Sequence, residues 1–120
     1  MAHNDKHDLS ERTLHYALRI IRLYAAIPKN NTSEIIGKQF LRSGTSVGAN
    51  YREARRARST AEFISKIGVV LQELEETDYW LELLIKSKII PAKQLADLCK
   101  ETDELIAIFV ASANTAKSKK

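Results

Sequence analysis

Apolar side chains recur at steps of three and four along nearly the whole chain, and very little interrupts them. Only four glycines and two prolines occur in 120 residues, so long helices are open to the chain and turn-rich sheets are not. The first periodic stretch runs from Leu9 to Ile27, with Thr13, Ala17, Ile20, Tyr24 and Ile27 on one stripe and Tyr16, Ile21 and Leu23 widening it. Pro28 stops it. Asn31 or Thr32 can then cap a second helix, over about 32–57, and Glu34 supports its first turn.

The second helix carries Ile35, Ile36, Phe40, Leu41, Val47 and Tyr51, but its middle, from Ser43 to Ala49, is mostly small residues. Gly44 and Gly48 lie four apart on one face, where they let a neighbouring helix approach closely at a cost of about 1 kcal/mol each relative to alanine. The alternative is a break into two helices near Gly44. Ser59-Thr60-Ala61-Glu62 has the form of a capping box and opens a third helix over 59–87, with Phe63, Ile67, Val70, Leu74, Thr77, Leu81 and Leu84 on one stripe. Pro91 suits the first position of a fourth helix, over 91–116, where Leu95, Leu98, Thr102, Leu105 and Phe109 recur. The polar tail from Ala116 is expected to fray. Short connections make consecutive helices antiparallel, so the expected fold is all-α: one domain over residues 1–120, an up-down-up-down four-helix bundle.

Several classes of protein are disfavoured. The apolar runs, such as Ile67 to Leu71, fall far below the ~20 residues that cross a bilayer. No charged stretch followed by an apolar one opens the chain, and the single cysteine, Cys99, has no internal partner; a cytoplasmic protein without membrane contact is expected. No histidine stands within forty residues of Cys99, which reads as a small core residue and not a nucleophile. His3 and His7 have the spacing of a metal pair, but a fortuitous surface pair explains them better, and no Glu-x-x-His motif is present. Tyr79 and Trp80 read as core or subunit-interface aromatics. With no convergent acid, base or metal set, the expectation is a protein with no catalytic residues, no metal and no cofactor.

Charge is segregated. From Arg42 to Arg58 five arginines (Arg42, Arg52, Arg55, Arg56 and Arg58) face one acid, Glu53, whereas Glu62 to Glu82 holds six acids and only Lys66. If the second and third helices are antiparallel about a turn near Arg58, Arg42 comes level with Glu73 and Glu76, and an interhelix or intersubunit salt-bridge network is expected there. The same geometry gathers Arg52, Arg55, Arg56 and Arg58 at one pole with Lys117, Lys119 and Lys120 of the tail. Such a pole can bind phosphates, since arginine contacts phosphate oxygens bidentately; the plainer reading is a solvated helix face. Aromatics for stacking bases are sparse, with only Tyr51 nearby.

Leu41-Arg42-Ser43-x-x-Ser46-Val47-Gly48-Ala49-Asn50-x-x-Glu53-Ala54 resembles the signature of a bacterial four-helix-bundle family, the small proteins encoded within intervening sequences of large-subunit ribosomal RNA genes. Ile20-Ile21-Arg22-Leu23-Tyr24 resembles that family's first helix. Glu62-Phe63-x-x-Lys66 with Glu73-x-x-Glu76-Thr77-x-x-Trp80-Leu81 resembles its third, so the likeness spans about residues 9–90. It implies a homo-oligomeric ring, commonly a pentamer, associated with RNA, and a relation to accessory proteins of diversity-generating retroelements. It supplies no biochemical activity. Gly44 and Gly48 stand where alanine or isoleucine is common in the family, which predicts a more flexible second helix. Two functions follow: a noncatalytic RNA-associated bundle, or a scaffold that holds a protein partner and binds no nucleic acid.

Overall fold

The computed structural model describes the backbone of residues 2–119 and the side chains of residues 9–119. Four helices follow in order: α1 (Ala2–Ala26), α2 (Asn31–Arg55), α3 (Thr60–Lys86) and α4 (Ala92–Ser118). At ~1.5 Å per residue each is close to 40 Å long, in keeping with a body of 48 × 25 × 19 Å. The short connections turn each helix back on the one before. α2 packs against α1 and α3, and α3 against α4, while α1 and α4 meet over only a short stretch. This is the antiparallel up-down-up-down bundle, with no strand among the described residues.

The helix ends follow local chemistry and adjust the expected boundaries. Asn30, not Asn31 or Thr32, caps α2: its extended backbone lets its side-chain oxygen accept from Ser33 N at 3.0 Å, and the two residues after it are already helical. Ser59 accepts from Glu62 N at 3.0 Å, and the Glu62 carboxylate reaches back to Arg58 N at 2.8 Å, one residue earlier than the simplest capping box. Pro91 is the N-cap and not the first helical residue, with ψ 140°. Lys88 ends α3 in the left-handed region at φ 63°, which aims the amides of Ile89 and Ile90 at Leu84 O. With no glycine or proline before Leu9, α1 begins at Ala2, and α4 continues through Ser118, so the expected fraying from Ala116 is not seen there. The side chains of His3 and His7 lie outside the described residues.

α2 is unbroken at Gly44. Its glycines accommodate α1: a Cβ on Gly44 would come within 2.7 Å of Ile20, and one on Gly48 within 3.1 Å of Thr13. These two side chains fill the grooves the glycines leave, so the small-residue stretch is a packing surface for α1. Ile20, Phe40, Val47, Ile67, Leu74, Leu81, Leu95, Leu105 and Phe109 form the core, at about 1.5–3 kcal/mol for each large side chain buried. Two residues expected inside face out instead: Ile21 is 46% exposed and Ile35 67%. Tyr16, expected beside Ile21 on the widened stripe of the first helix, is buried.

Crossing this core is a layer of hydroxyls, with a contribution from every helix. Tyr16 Oη lies 2.7 Å from Thr102 Oγ1, and Thr77 Oγ1 lies 2.8 Å from Ser43 Oγ, all buried. Thr102 donates to Leu98 O at 2.8 Å, and Thr77 Oγ1 lies 2.8 Å from Glu73 O. Burial pushes the Tyr16 phenol well above its ordinary pKa, which keeps it a neutral hydrogen-bonding group.

Candidate nucleic-acid interface

The antiparallel arrangement brings the N-terminal ends of α1 and α3 to the same end of the bundle as the C-terminal ends of α2 and α4. Arg52 and Arg55 lie in the last turn of α2, Arg56 is its C-cap, Arg58 is in the turn to α3, and Lys117 is in the last turn of α4. Cations are favoured at helix C-termini by about 0.3–1 kcal/mol each, which explains part of this clustering without any ligand. Arg52, Arg55, Arg56, Arg58, Lys117 and Lys119 are all exposed. Lys120 lies outside the described residues.

What distinguishes this end is where its acids go. Glu53, the one acid of the arginine-rich run, is 2.8 Å from Lys66. Glu62 caps the Arg58 amide. Arg55 donates to the hydroxyl of Ser10 at 2.7 Å, not to a carboxylate. Among the described residues, none of the six exposed cations is ion-paired.

Two arginines along the body of the bundle, Arg12 and Arg42, are neutralised by carboxylates, whereas Arg19 and Arg22 on α1 have no ion pair among the described residues. Arg42 is 3.2 Å from Glu73 and also pairs with Glu76, linking α2 to α3 within one chain. Arg12 makes a bidentate pair with Glu101, two bonds of 2.8 Å, and reaches Glu104 at 2.7 Å. This clamp ties α1 to α4 across residues about 90 positions apart in sequence; no local motif announces it.

Two adjoining clefts open at the basic end. The larger, of about 630 Å³, lies between the start of α1, the end of α2 and the end of α4, and includes Leu9, Arg12, Ala54, Arg55, Phe63 and Ile108 in its wall. The second, of about 530 Å³, is bordered by Arg58, Ser59, Thr60 and Lys119. Ala57, Phe63, Ser112 and Thr115 belong to both. Arg58 and Lys119 therefore border one opening, Arg12 and Arg55 the other. Sequence patterning did not reveal the clefts, because helix periodicity carries no information on how far α1 leans from α4.

Cys99 is half-buried, and burial, then the charges of Asp78 and Asp103, push its thiol pKa up, away from the reactive thiolate. Tyr79 is 54% exposed and edge-on to Trp80, 5.2 Å between centroids. Among the described residues no three His, Cys, Asp or Glu side chains are arranged to hold a metal ion, and no helix is long and apolar enough to cross a membrane.

The sequence model of the 23S rRNA-intervening sequence proteins matches residues 5–111. A solved structure described as a protein of unknown function from the S23 ribosomal protein family, from Bacteroides thetaiotaomicron VPI-5482, is 37% identical, covers 91% of this chain and 97% of its own, and superposes with a TM-score of 0.84. No curated protein matches the sequence.

Proposed function

Since this chain belongs to the 23S rRNA-intervening sequence protein family, we propose that it is a noncatalytic, cytoplasmic, homo-oligomeric bundle that associates with structured RNA through its basic end. The observation that carries this is the set of six exposed cations gathered at one end and unpaired among the described residues, whereas Arg12 and Arg42 along the bundle's sides meet carboxylates. Phosphate neutralisation by such a set releases counterions and gives binding that falls steeply with salt. Broad, sequence-tolerant contact fits the sparse exposed aromatics at this end.

Self-association is the other half of the proposal. Leu14, Leu18 and Ile21 form an apolar ridge along the outside of α1, each 38–46% exposed, and a repeated heterologous contact on such a ridge closes a ring. Five copies is the assembly the family resemblance implies. Light scattering on the purified protein reads the mass directly, and a monomer at micromolar concentration would remove this part.

For RNA, the measurement is retention on an immobilised hairpin over a salt gradient, comparing the native chain with the double variant Arg55→Glu, Arg56→Glu. Elution at markedly lower salt for the variant is expected; unchanged elution removes this surface. Pull-down from lysate with and without nuclease separates this from a scaffold that holds a protein partner and no nucleic acid.

A further inference from the structure

The clefts at the basic end have a chemistry that a flat cationic patch lacks. The floor of the larger one is apolar, from Leu9, Ala54, Phe63 and Ile108, and its volume of about 630 Å³ falls within the ~300–1,000 Å³ typical of small-molecule sites. Its rim is cationic on one side. Arg55 spends one guanidinium nitrogen on Ser10 and has others to offer, and Arg58 and Lys119 border the adjoining opening. On the other side Arg12 is already committed to Glu101 and Glu104, so an anion is favoured toward Arg55, Arg58 and Lys119.

The shared wall adds two hydroxyls. Thr13, Thr45, Ser46 and Thr102 all bond a carbonyl one turn back in their helices. Ser112 and Thr115 make no side-chain hydrogen bond among the described residues, and both face the clefts. An apolar floor with two aromatic residues in its wall, Phe63 and the largely buried Tyr51, two uncommitted hydroxyls and an anion-seeking rim is the complement of a planar heteroaromatic group with polar edges tethered to a phosphate.

We infer that this cleft takes one unpaired nucleotide of an RNA strand, its base inserted beside Phe63 with edges toward Ser112 and Thr115, and its phosphate on Arg55, Arg58 and Lys119. The inference rests on the proposed RNA association and makes it specific: the preferred ligand is a strand with a base free to leave the stack, not a continuous duplex. Flipping an already unpaired base avoids most of the unstacking cost a paired base incurs, and the shallow groove of an A-form duplex offers nothing to enter such a cleft.

The test is a titration of three labelled RNA hairpins identical except at one position: a single-nucleotide bulge, the same bulge made abasic, and a fully paired stem. The bulged hairpin is expected to bind about tenfold more tightly than the other two. In Ala111→Trp, which places a large ring in the mouth from an exposed position, that preference should vanish while salt-sensitive binding to all three persists. Phe63→Leu, which keeps an apolar residue at the wall, should reduce the preference partway. Circular dichroism establishes that each variant is folded. Equal, salt-sensitive affinity for the three RNAs in the native chain overturns the cleft and leaves the basic-end reading standing. Absence of binding to any of them overturns both. A bulge preference that survives Ala111→Trp also overturns the cleft, since the base is then bound elsewhere.

Discussion

The phenol of Tyr16 and the hydroxyl of Thr102 lie 2.7 Å apart, fully buried, joining α1 to α4, the neighbouring helices that touch least. The two partners are not equivalent. Thr102 also donates to Leu98 O, so Tyr16→Phe leaves no buried donor stranded and should cost about 0.5–1.5 kcal/mol, the net worth of one hydrogen bond. Thr102→Val strands the phenol and should cost more, about 1–3 kcal/mol. The double variant should be no worse than Thr102→Val alone, because the stranded group is gone. Urea unfolding of the three variants reads the order; equal costs would mean that the phenol finds full replacement at Thr77, which also bears on it.

Gly44 and Gly68 predict opposite outcomes for one and the same substitution. At Gly44 an added Cβ meets Ile20 at 2.7–2.8 Å, and Ile20 is fully buried and β-branched, hence stiff. Overpacking of about 1–3 kcal/mol should outweigh the ~1 kcal/mol helix-propensity gain of alanine, leaving Gly44→Ala destabilised by roughly 1 kcal/mol. At Gly68 nothing lies within 4 Å, so Gly68→Ala should gain about 0.5–1 kcal/mol. Thermal denaturation of both decides it: a stabilised Gly44→Ala would mean that α1 shifts away from α2 at little cost.

How much of this was legible in the sequence depended on distance along the chain. The Ser59 and Glu62 cap and the inward stripe of α3 are local, fixed by side-chain chemistry within one or two turns. The level of Arg42 with Glu73 and Glu76 followed from counting outward from a short turn, since a tight connection fixes the register of antiparallel helices. Arg12 with Glu101 and Glu104 had no such anchor, because α1 and α4 are joined through the other two helices. The outward turn of Ile21 and Ile35 was hidden for another reason: a stripe widened by apolar neighbours does not reveal its own edge until the partner helix is in place. At the candidate interface the arginine pole could be gathered from helix directions alone. Its clefts could not, since they depend on where α1 parts from α4.

Asp78 gives the fold a pH signature. Partial desolvation first, then the charges of Asp103, Glu82 and Glu75, raise its carboxyl above the ordinary value. A carboxyl raised in the folded state binds its proton more readily there than in the unfolded chain, so its ionised form is a penalty. That penalty is absent below the ordinary carboxyl pKa of about 4, grows as pH rises through the folded value, and is constant above it. Asp78→Asn should therefore be more stable than the native chain at neutral pH, with the gap closing as pH falls toward 4. Added salt should shrink the part due to the three neighbouring acids and leave the desolvation part. Unfolding midpoints of the two proteins between pH 3.5 and 7.5, at low and high salt, measure both components. A gap independent of pH would assign the effect to helix propensity and not to charge.

Arg42 and Arg58 belong to the same run of five arginines, yet their surroundings predict separate consequences. Arg42 pairs with Glu73 and Glu76, and Glu73 retains only 15% side-chain exposure, so Arg42→Gln leaves a carboxylate poorly solvated and unpartnered. The Arg42 side chain itself is 48% exposed, which holds the loss below about 1 kcal/mol; in 1 M salt, where screening acts over ~3 Å, it should nearly disappear. RNA affinity should not change, because the charge removed was already neutralised. Arg58→Gln removes a cation with no carboxylate partner among the described residues. It should leave stability within about 0.5 kcal/mol and lower the slope of log affinity against log salt by about 1. Measuring unfolding and RNA titration side by side for the two variants separates the roles. Were the outcomes exchanged, the α2–α3 salt-bridge face would be the polyanion surface and the basic end a set of helix-terminal charges only.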